Sequence, residues 1–164
     1  MLCTILYMLT ILLMEKKDKE IYKGLSDTDA LTGLLNRRAF QAAVDETLLK
    51  RISGIFIFID VDNFKNYNDK YGHANGDLCL KHFAAAMKKC FPKDSILGRY
   101  GGDEFVVYIK NAASDAAHRY MDEFQREISH LMMSGGEHVT VSASAGGVAF
   151  AGEGEDFVSL CRSA

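Results

Sequence analysis

Apolar and polar positions recur with changing period along the chain of 164 residues, and each period predicts an element. The stretch "GIFIFID" is a continuous run of β-branched and aromatic residues, opened by glycine and closed by acid, which predicts a buried strand of about seven residues. Ahead of it, "DTDALTGLLNRRAFQAAVDETLLKR" holds many helix formers, with Leu35, Phe40, Ala43 and Leu48 roughly on one face. That predicts a helix preceded by a turn. Behind the strand, "NFKNYNDKYGHANGD" is polar and turn-rich with room for a short helix, and "DLCLKHFAAAMKKCF" sets Leu80, Phe83, Ala84, Met87 and Phe91 at helical spacing. "SILGRY" and "EFVVYIK" are two strand patterns parted by a glycine pair, a β-hairpin with "GGD" near its turn. Ala117, Met121, Phe124, Ile128 and Leu131 then form the stripe of another helix, "HVTVSASAGGVAF" alternates like a strand, and "EDFVSLCRSA" opens as a last helix. This succession predicts an α+β (α/β-type) fold, one mixed sheet with helices packed on it.

The first fourteen residues, "MLCTILYMLTILLM", break the pattern because none is charged. As a helix they would span roughly 21 Å, short of the ~30 Å hydrocarbon core of a bilayer. Three readings fit: the tail of a membrane helix, a short signal anchor, or a helix buried against a partner. In a membrane, Lys16 and Lys17 of the following "EKKDKE" would keep the next domain on the cytoplasmic side. The chain therefore divides into an apolar leader at 1–14, a linker or short helix at 15–25, and one domain at 26–164. With 48% apolar and 25% charged residues, that last part can bury its own core. The net charge of -3 gives no general attraction to nucleic acid, so phosphate binding has to be local or metal-mediated. Cys3, Cys79, Cys90 and Cys161 show no pairing framework and read as reduced thiols of a cytoplasmic protein.

The candidate chemistry is acidic. Gly101 and Gly102 allow close approach to the backbone, and Asp103 and Glu104 follow them near the hairpin turn. Alone, that reads as a solvated turn. Asp60 and Asp62, however, close a strand too apolar to end in acid by accident. Carboxylates at a strand end beside carboxylates on a hairpin suit a hard divalent cation, which favours oxygen ligands and often completes its shell with substrate phosphates.

"RYGGDEF", Arg99 to Phe105, resembles the signature of the GGDEF domain, the diguanylate cyclase family, with the five-residue motif unaltered. "DTDALTGLLNRR" is similar to the segment that opens these domains, and "DVDNFKNYNDKYGHANGD" to their substrate-binding segment. The resemblance implies a nucleotidyl-cyclase-like fold that condenses two GTP into cyclic di-GMP and two pyrophosphates. In each half of that reaction a ribose 3'-hydroxyl attacks the α-phosphorus of the facing nucleotide, so a homodimer is implied. It further implies two Mg2+ ions per active site, with Mn2+ as a substitute, held by the Asp60 and Asp103 carboxylates and the Val61 carbonyl. Asp103 is also the candidate base for the 3'-hydroxyl, with Glu104 close to the metals and Lys65 near the phosphates. Asp62 stays open between a metal-side role and orienting the loop.

Guanine presents adjacent donors at N1 and N2, which one carboxylate satisfies together, and the resemblance puts Asp77 there with Asn68 on the same edge. His73 is a further nucleotide contact on this reading. From the residues alone, Asp77 also reads as the cap of "DLCLKHFAAAM" and Asn68 as a turn residue. His82, His118, His130 and His138 show no ligand spacing.

Two departures from the family pattern stand out. The product-inhibition motif Arg-x-x-Asp has Pro92 and Ser95 in its charged positions, so that feedback site is expected to be absent. The family also continues past "DFVSLCRSA" with a helix bearing a phosphate-contacting lysine and a final strand, so the domain reads as truncated at its C-terminus. The leading expectation is a magnesium-dependent cyclase coupled to an upstream sensor or membrane segment, with no nucleic-acid partner. The competing one is a non-catalytic GTP-binding module that signals through protein contact.

Overall fold

The computed structural model describes residues 27–132, 136, 138–151 and 157–163. The apolar leader at 1–14 and the linker at 15–25 lie outside the described residues. In chain order the elements are β1 (Leu35–Asn36), α1 (Arg37–Leu49), β2 (Gly54–Val61), α2 (Phe64–Tyr71), α3 (His73–Cys90), β3 (Ile96–Arg99) and β4 (Glu104–Lys110). There follow α4 (Ser114–Ile128), β5 (Leu131–Met132), β6 (His138–Val139), β7 (Ala143–Phe150) and α5 (Phe157–Ser163). Five strands form one mixed sheet in the order β1-β3-β4-β2-β7, and β5 pairs with β6 separately. Only β1 and β3 run parallel among the paired strands described.

The alternation of side chains along β2 explains why its sequence is apolar throughout. Ile55, Ile57, Ile59 and Val61 face Cys79, Leu80, Phe83 and Met87 of α3 and Phe124 and Ile128 of α4. On the other face, Phe56 joins Phe40, Val44 and Leu48 of α1 and Phe157 and Leu160 of α5. A strand covered on both sides has no solvent face and so no polar positions until its end. β4 repeats the pattern, with Phe105, Val107 and Ile109 on the first face and Val106 and Tyr108 on the second. The buried Tyr108 hydroxyl is satisfied by donating to the Ile52 carbonyl at 2.8 Å, and burial pushes its pKa up to about 12. Cys79, Cys90 and Cys161 are free thiols, and burial raises the Cys79 pKa to about 12, in keeping with a small apolar core residue.

Three sequence expectations need correction. The helix stripe drawn to Leu131 ends at Ile128, and Leu131 belongs to β5 instead. The single strand read from "HVTVSASAGGVAF" is two, β6 pairing with β5 and β7 with β2, and residues 140–142 between them belong to neither ladder. Within that break Val141 is still buried in the core. Leu35, placed on the face of the first helix, belongs instead to β1, since that helix starts at Arg37 and a strand of two residues carries no period. Among the described residues no helix is long and apolar enough to cross a membrane.

Candidate active site

The register of β2 against β4 builds the acidic site. Asp60 is paired with Glu104 across the two strands, and the Val61 N–H donates to the Asp103 carbonyl at 3.2 Å. Directly opposed residues of an antiparallel pair have Cβ atoms roughly 5 Å apart on the same face. The closing acid of one strand thus meets the hairpin acids of the other. The turn Tyr100–Asp103 is drawn over the same point, because the N–H groups of Tyr100 and Gly101 both donate to the Glu104 carbonyl, at 2.8 and 3.4 Å. A Cβ on Gly101 would lie 2.4 Å from Glu104 Oε2, so a side chain there would displace that carboxylate from its present position.

Among the described residues no basic side chain pairs with these acids: none of the ion pairs involves Asp60, Asp103 or Glu104. Burial, then the charge of Asp103, then that of Asp62 push the Asp60 carboxyl above the usual carboxylate range. No group of three or more His, Cys, Asp or Glu side chains among the described residues forms a metal cage. What the strand pairing offers is carboxylate oxygen at Asp60 and Glu104, with the Asp103 charge close enough to act on Asp60. That fits a hard cation such as magnesium, which keeps water and takes further oxygens from a phosphate substrate.

Asp62 leaves this cluster. It accepts hydrogen bonds from the hydroxyls of Ser142 at 2.5 Å and Ser144 at 2.6 Å, while its N–H donates to the Ser142 carbonyl at 3.0 Å. These hydroxyls hold its pKa below the usual carboxylate range. Its carboxylate ties the end of β2 to β7.

The second half of the site lies between α2 and α3. α2 begins after Asn63, which takes a left-handed conformation (φ 56°) and offers no side-chain cap, so the first-turn N–H groups are not closed off by its side chain. Lys65 is exposed on that first turn, and His73 is exposed as the first residue of α3. Asp77 is exposed in the second turn of α3, which starts at His73, so it is not the helix cap. Asn68, on α2 and not in a turn, packs its carboxamide against Gly76 of α3, and its Oδ1 is buried without a hydrogen-bond partner. The structure thus brings Asn68 next to the residue preceding Asp77, and Asp60 next to Asp103 and Glu104.

The family profile described as "Diguanylate cyclase, GGDEF domain" matches residues 26–164. The chain belongs to the GGDEF domain family. "Diguanylate cyclase DgcM" of Escherichia coli K12 is 32% identical over 132 residues, 78% of this chain and 32% of that protein. "Cyclic di-GMP phosphodiesterase PdeR" of the same organism is 32% identical over 153 residues, 92% of this chain and 23% of that protein. The chain thus spans about a quarter to a third of the length of these curated relatives. Among solved structures, the GGDEF domain of PA1120 (TpbB or YfiN) from Pseudomonas aeruginosa superposes with a TM-score of 0.76 at 29% identity, covering 82% of each chain. The GGDEF domain of DgcB from Caulobacter crescentus, in complex with c-di-GMP, gives 0.74 at 28% identity, covering 83% of this chain and 81% of that one. The mixed five-stranded sheet with its helices is the fold of GGDEF domains.

Within this GGDEF domain, several residues that sequence reasoning left without a role shape the site. Arg99 donates from Nε and Nη2 to the Gly102 carbonyl, at 3.1 and 2.7 Å, and from Nη1 to both oxygens of Asp29. Asp29 also accepts from the Thr32 hydroxyl and N–H, at 2.6 and 2.9 Å. Lys88 of α3 donates to the carbonyls of Thr32 and Gly33. The opening turn is consequently fastened to both the hairpin and α3. An acid three residues before a threonine signals the turn in sequence, but nothing local names its distant arginine. Ser142 and Ser144 likewise gave no signal beyond their alternation.

Proposed function

We propose that this chain carries the diguanylate cyclase reaction, joining two GTP into cyclic di-GMP with release of two pyrophosphates. The observation that supports it most is the register pair of Asp60 and Glu104, which sets the Asp60 carboxylate beside Asp103. Asp60, Asp103 and the Val61 carbonyl would hold divalent metal, Mg2+ or in its place Mn2+. When bound, such ions lower the pKa of an attacking hydroxyl and offset charge on the phosphates and leaving group. The protein's own groups do the rest. Asp103 accepts the proton of the ribose 3'-hydroxyl, and Glu104 adds negative charge that favours the cations. Lys65 and the first-turn amides of α2 face the phosphates, where positive charge and N–H donors suit the developing negative charge.

Asp77 takes the N1 and N2 donors of guanine, and Asn68 contributes its carboxamide to the same base, with His73 alongside. Adenine would leave the Asp77 carboxylate unpaired. Gly101 and Gly102 let the nucleotide approach the hairpin backbone. Each chain supplies one nucleotide, so turnover requires two domains facing each other. The charged positions of the product-inhibition motif hold Pro92 and Ser95, whose N–H donates to the Pro92 carbonyl at 3.0 Å, so cyclic di-GMP has no arginine or aspartate to bind there.

One observation favours a second reading, a GTP-binding module without turnover: the relative PdeR, matched over 92% of this chain, bears the name of a phosphodiesterase. Incubation with GTP and Mg2+ separates the two. Pyrophosphate and a cyclic dinucleotide support the cyclase, and saturable GTP binding without product supports the module. Asp103→Asn should abolish turnover and keep the fold; unchanged turnover contradicts the role given to Asp103.

A further inference from the structure

Gly76 lies buried within α3, where glycine is less helix-favouring than alanine and where burial would ordinarily reward a side chain. The space its missing side chain leaves is taken by another residue. A Cβ on Gly76 would lie 1.9 Å from Asn68 Oδ1, 2.9 Å from its Cγ and 3.4 Å from its Nδ2. The first two distances are impossible for real atoms, so alanine at 76 and Asn68 in its present rotamer exclude each other. Asn68 Oδ1 is buried there without a hydrogen-bond partner. A buried, unsatisfied carbonyl oxygen is costly, and a fold tolerates it where the position serves something other than packing.

We infer that Gly76 is a positioning residue for guanine recognition: its absent side chain forms the seat that fixes the Asn68 carboxamide beside Asp77. The inference rests on the assignment of Asn68 and Asp77 to the guanine base. It explains why a helix interior gives up the better helix former one residue before the carboxylate that reads the base. With alanine at 76 the carboxamide swings out of its seat, while Asp77, on the outer face of α3, keeps its place. The backbone and metal-side acids are untouched.

The test is a binding cycle in the intact chain with GTP and ATP as probes, run beside thermal melts. Gly76→Ala should weaken GTP binding about tenfold, the scale of one lost hydrogen bond to the base, and narrow the GTP-over-ATP preference with it. Asn68→Ala should do the same. The double variant Gly76→Ala/Asn68→Ala should bind no worse than Asn68→Ala alone and melt no lower, since the clash is gone. Unchanged GTP affinity in Gly76→Ala, or a loss that adds in full to that of Asn68→Ala, overturns the role of Gly76 and leaves the guanine site standing. A wild-type chain that binds GTP no better than ATP overturns the guanine reading itself, and this inference with it. Should Gly76→Ala fail to fold, the double variant decides: refolding with the affinity of Asn68→Ala supports the seat, and continued failure overturns it.

Discussion

Arg99 and Asp29 stand 70 residues apart in sequence, yet Arg99 Nη1 lies 3.1 and 3.2 Å from the two carboxylate oxygens of Asp29. The same guanidinium holds the Gly102 carbonyl, so the opening turn of the domain and the turn of the β3–β4 hairpin share one side chain. Both partners are only partly exposed, at 16% and 23%. Arg99→Gln and Asp29→Asn should each cost about 1–3 kcal/mol of stability, as expected for charge-assisted hydrogen bonds removed from a half-buried site. The double variant should cost clearly less than the sum, which a double-mutant cycle by denaturant unfolding will measure. Burial alone would raise the Asp29 pKa, but the Thr32 hydroxyl and N–H and the Arg99 charge outweigh it and hold it below the ordinary 3.8. Its contribution is therefore present above that value and lost as pH falls through the lowered pKa. Asp29→Asn should flatten that acid limb. Full additivity, or an unchanged limb, would show that the two residues do not act as a unit.

Asp60 has the opposite sign. Burial and the charges of Asp103 and Asp62 raise its folded pKa above 3.8, so its ionisation works against the fold. The favourable contribution is present below 3.8 and is lost as pH rises through the raised value. In chelator-treated protein at neutral pH, Asp60→Asn should therefore raise the melting temperature, by no more than a few degrees because the residue is exposed and water screens the repulsion. The gain should vanish in acid, where the wild-type carboxyl is itself protonated. Mg2+ should stabilise the wild type and leave Asp60→Asn unmoved. A metal-free variant that melts below wild type at neutral pH would mean that the acids do not repel.

The parts of this molecule that could be read from sequence are those whose cause is local. "GIFIFID" declares a buried strand because its run from Ile55 to Ile59 is apolar without a break, and "EFVVYIK" after a glycine pair declares its hairpin partner. Their register follows from the fold, and with it the pairing of Asp60 with Glu104. Leu131 was misplaced because it extends the helical period of α4 in sequence while the chain has already left the helix. β1 exists only through its pairing with β3. Arg99, Ser142 and Gly76 escaped for one reason: each acts on a residue brought near by tertiary packing, at Asp29, Asp62 and Asn68.

Asp60 and Asp62 look interchangeable in "IDVD", and the period of two even puts them on one side of the chain, but two serines separate them. Asp60 remains with the hairpin acids, whereas the Ser142 and Ser144 hydroxyls occupy one oxygen each of Asp62. An oxygen already accepting a short hydrogen bond is a poorer ligand for a cation than one facing only other carboxylates. Asp62→Asn should accordingly keep Mg2+-dependent turnover within about tenfold of wild type, the scale of one weakened charge-assisted hydrogen bond. Asp60→Asn should lose it. The serines supply a control from the opposite side of the contact. Because they lower the folded pKa of Asp62, their stabilisation is present above 3.8 and fades as pH falls through the lowered pKa. Ser142→Ala/Ser144→Ala should therefore melt below wild type at neutral pH, and the difference should shrink in strong acid. Turnover lost as completely in Asp62→Asn as in Asp60→Asn would place both aspartates on the metal, and the tie to β7 would then be incidental.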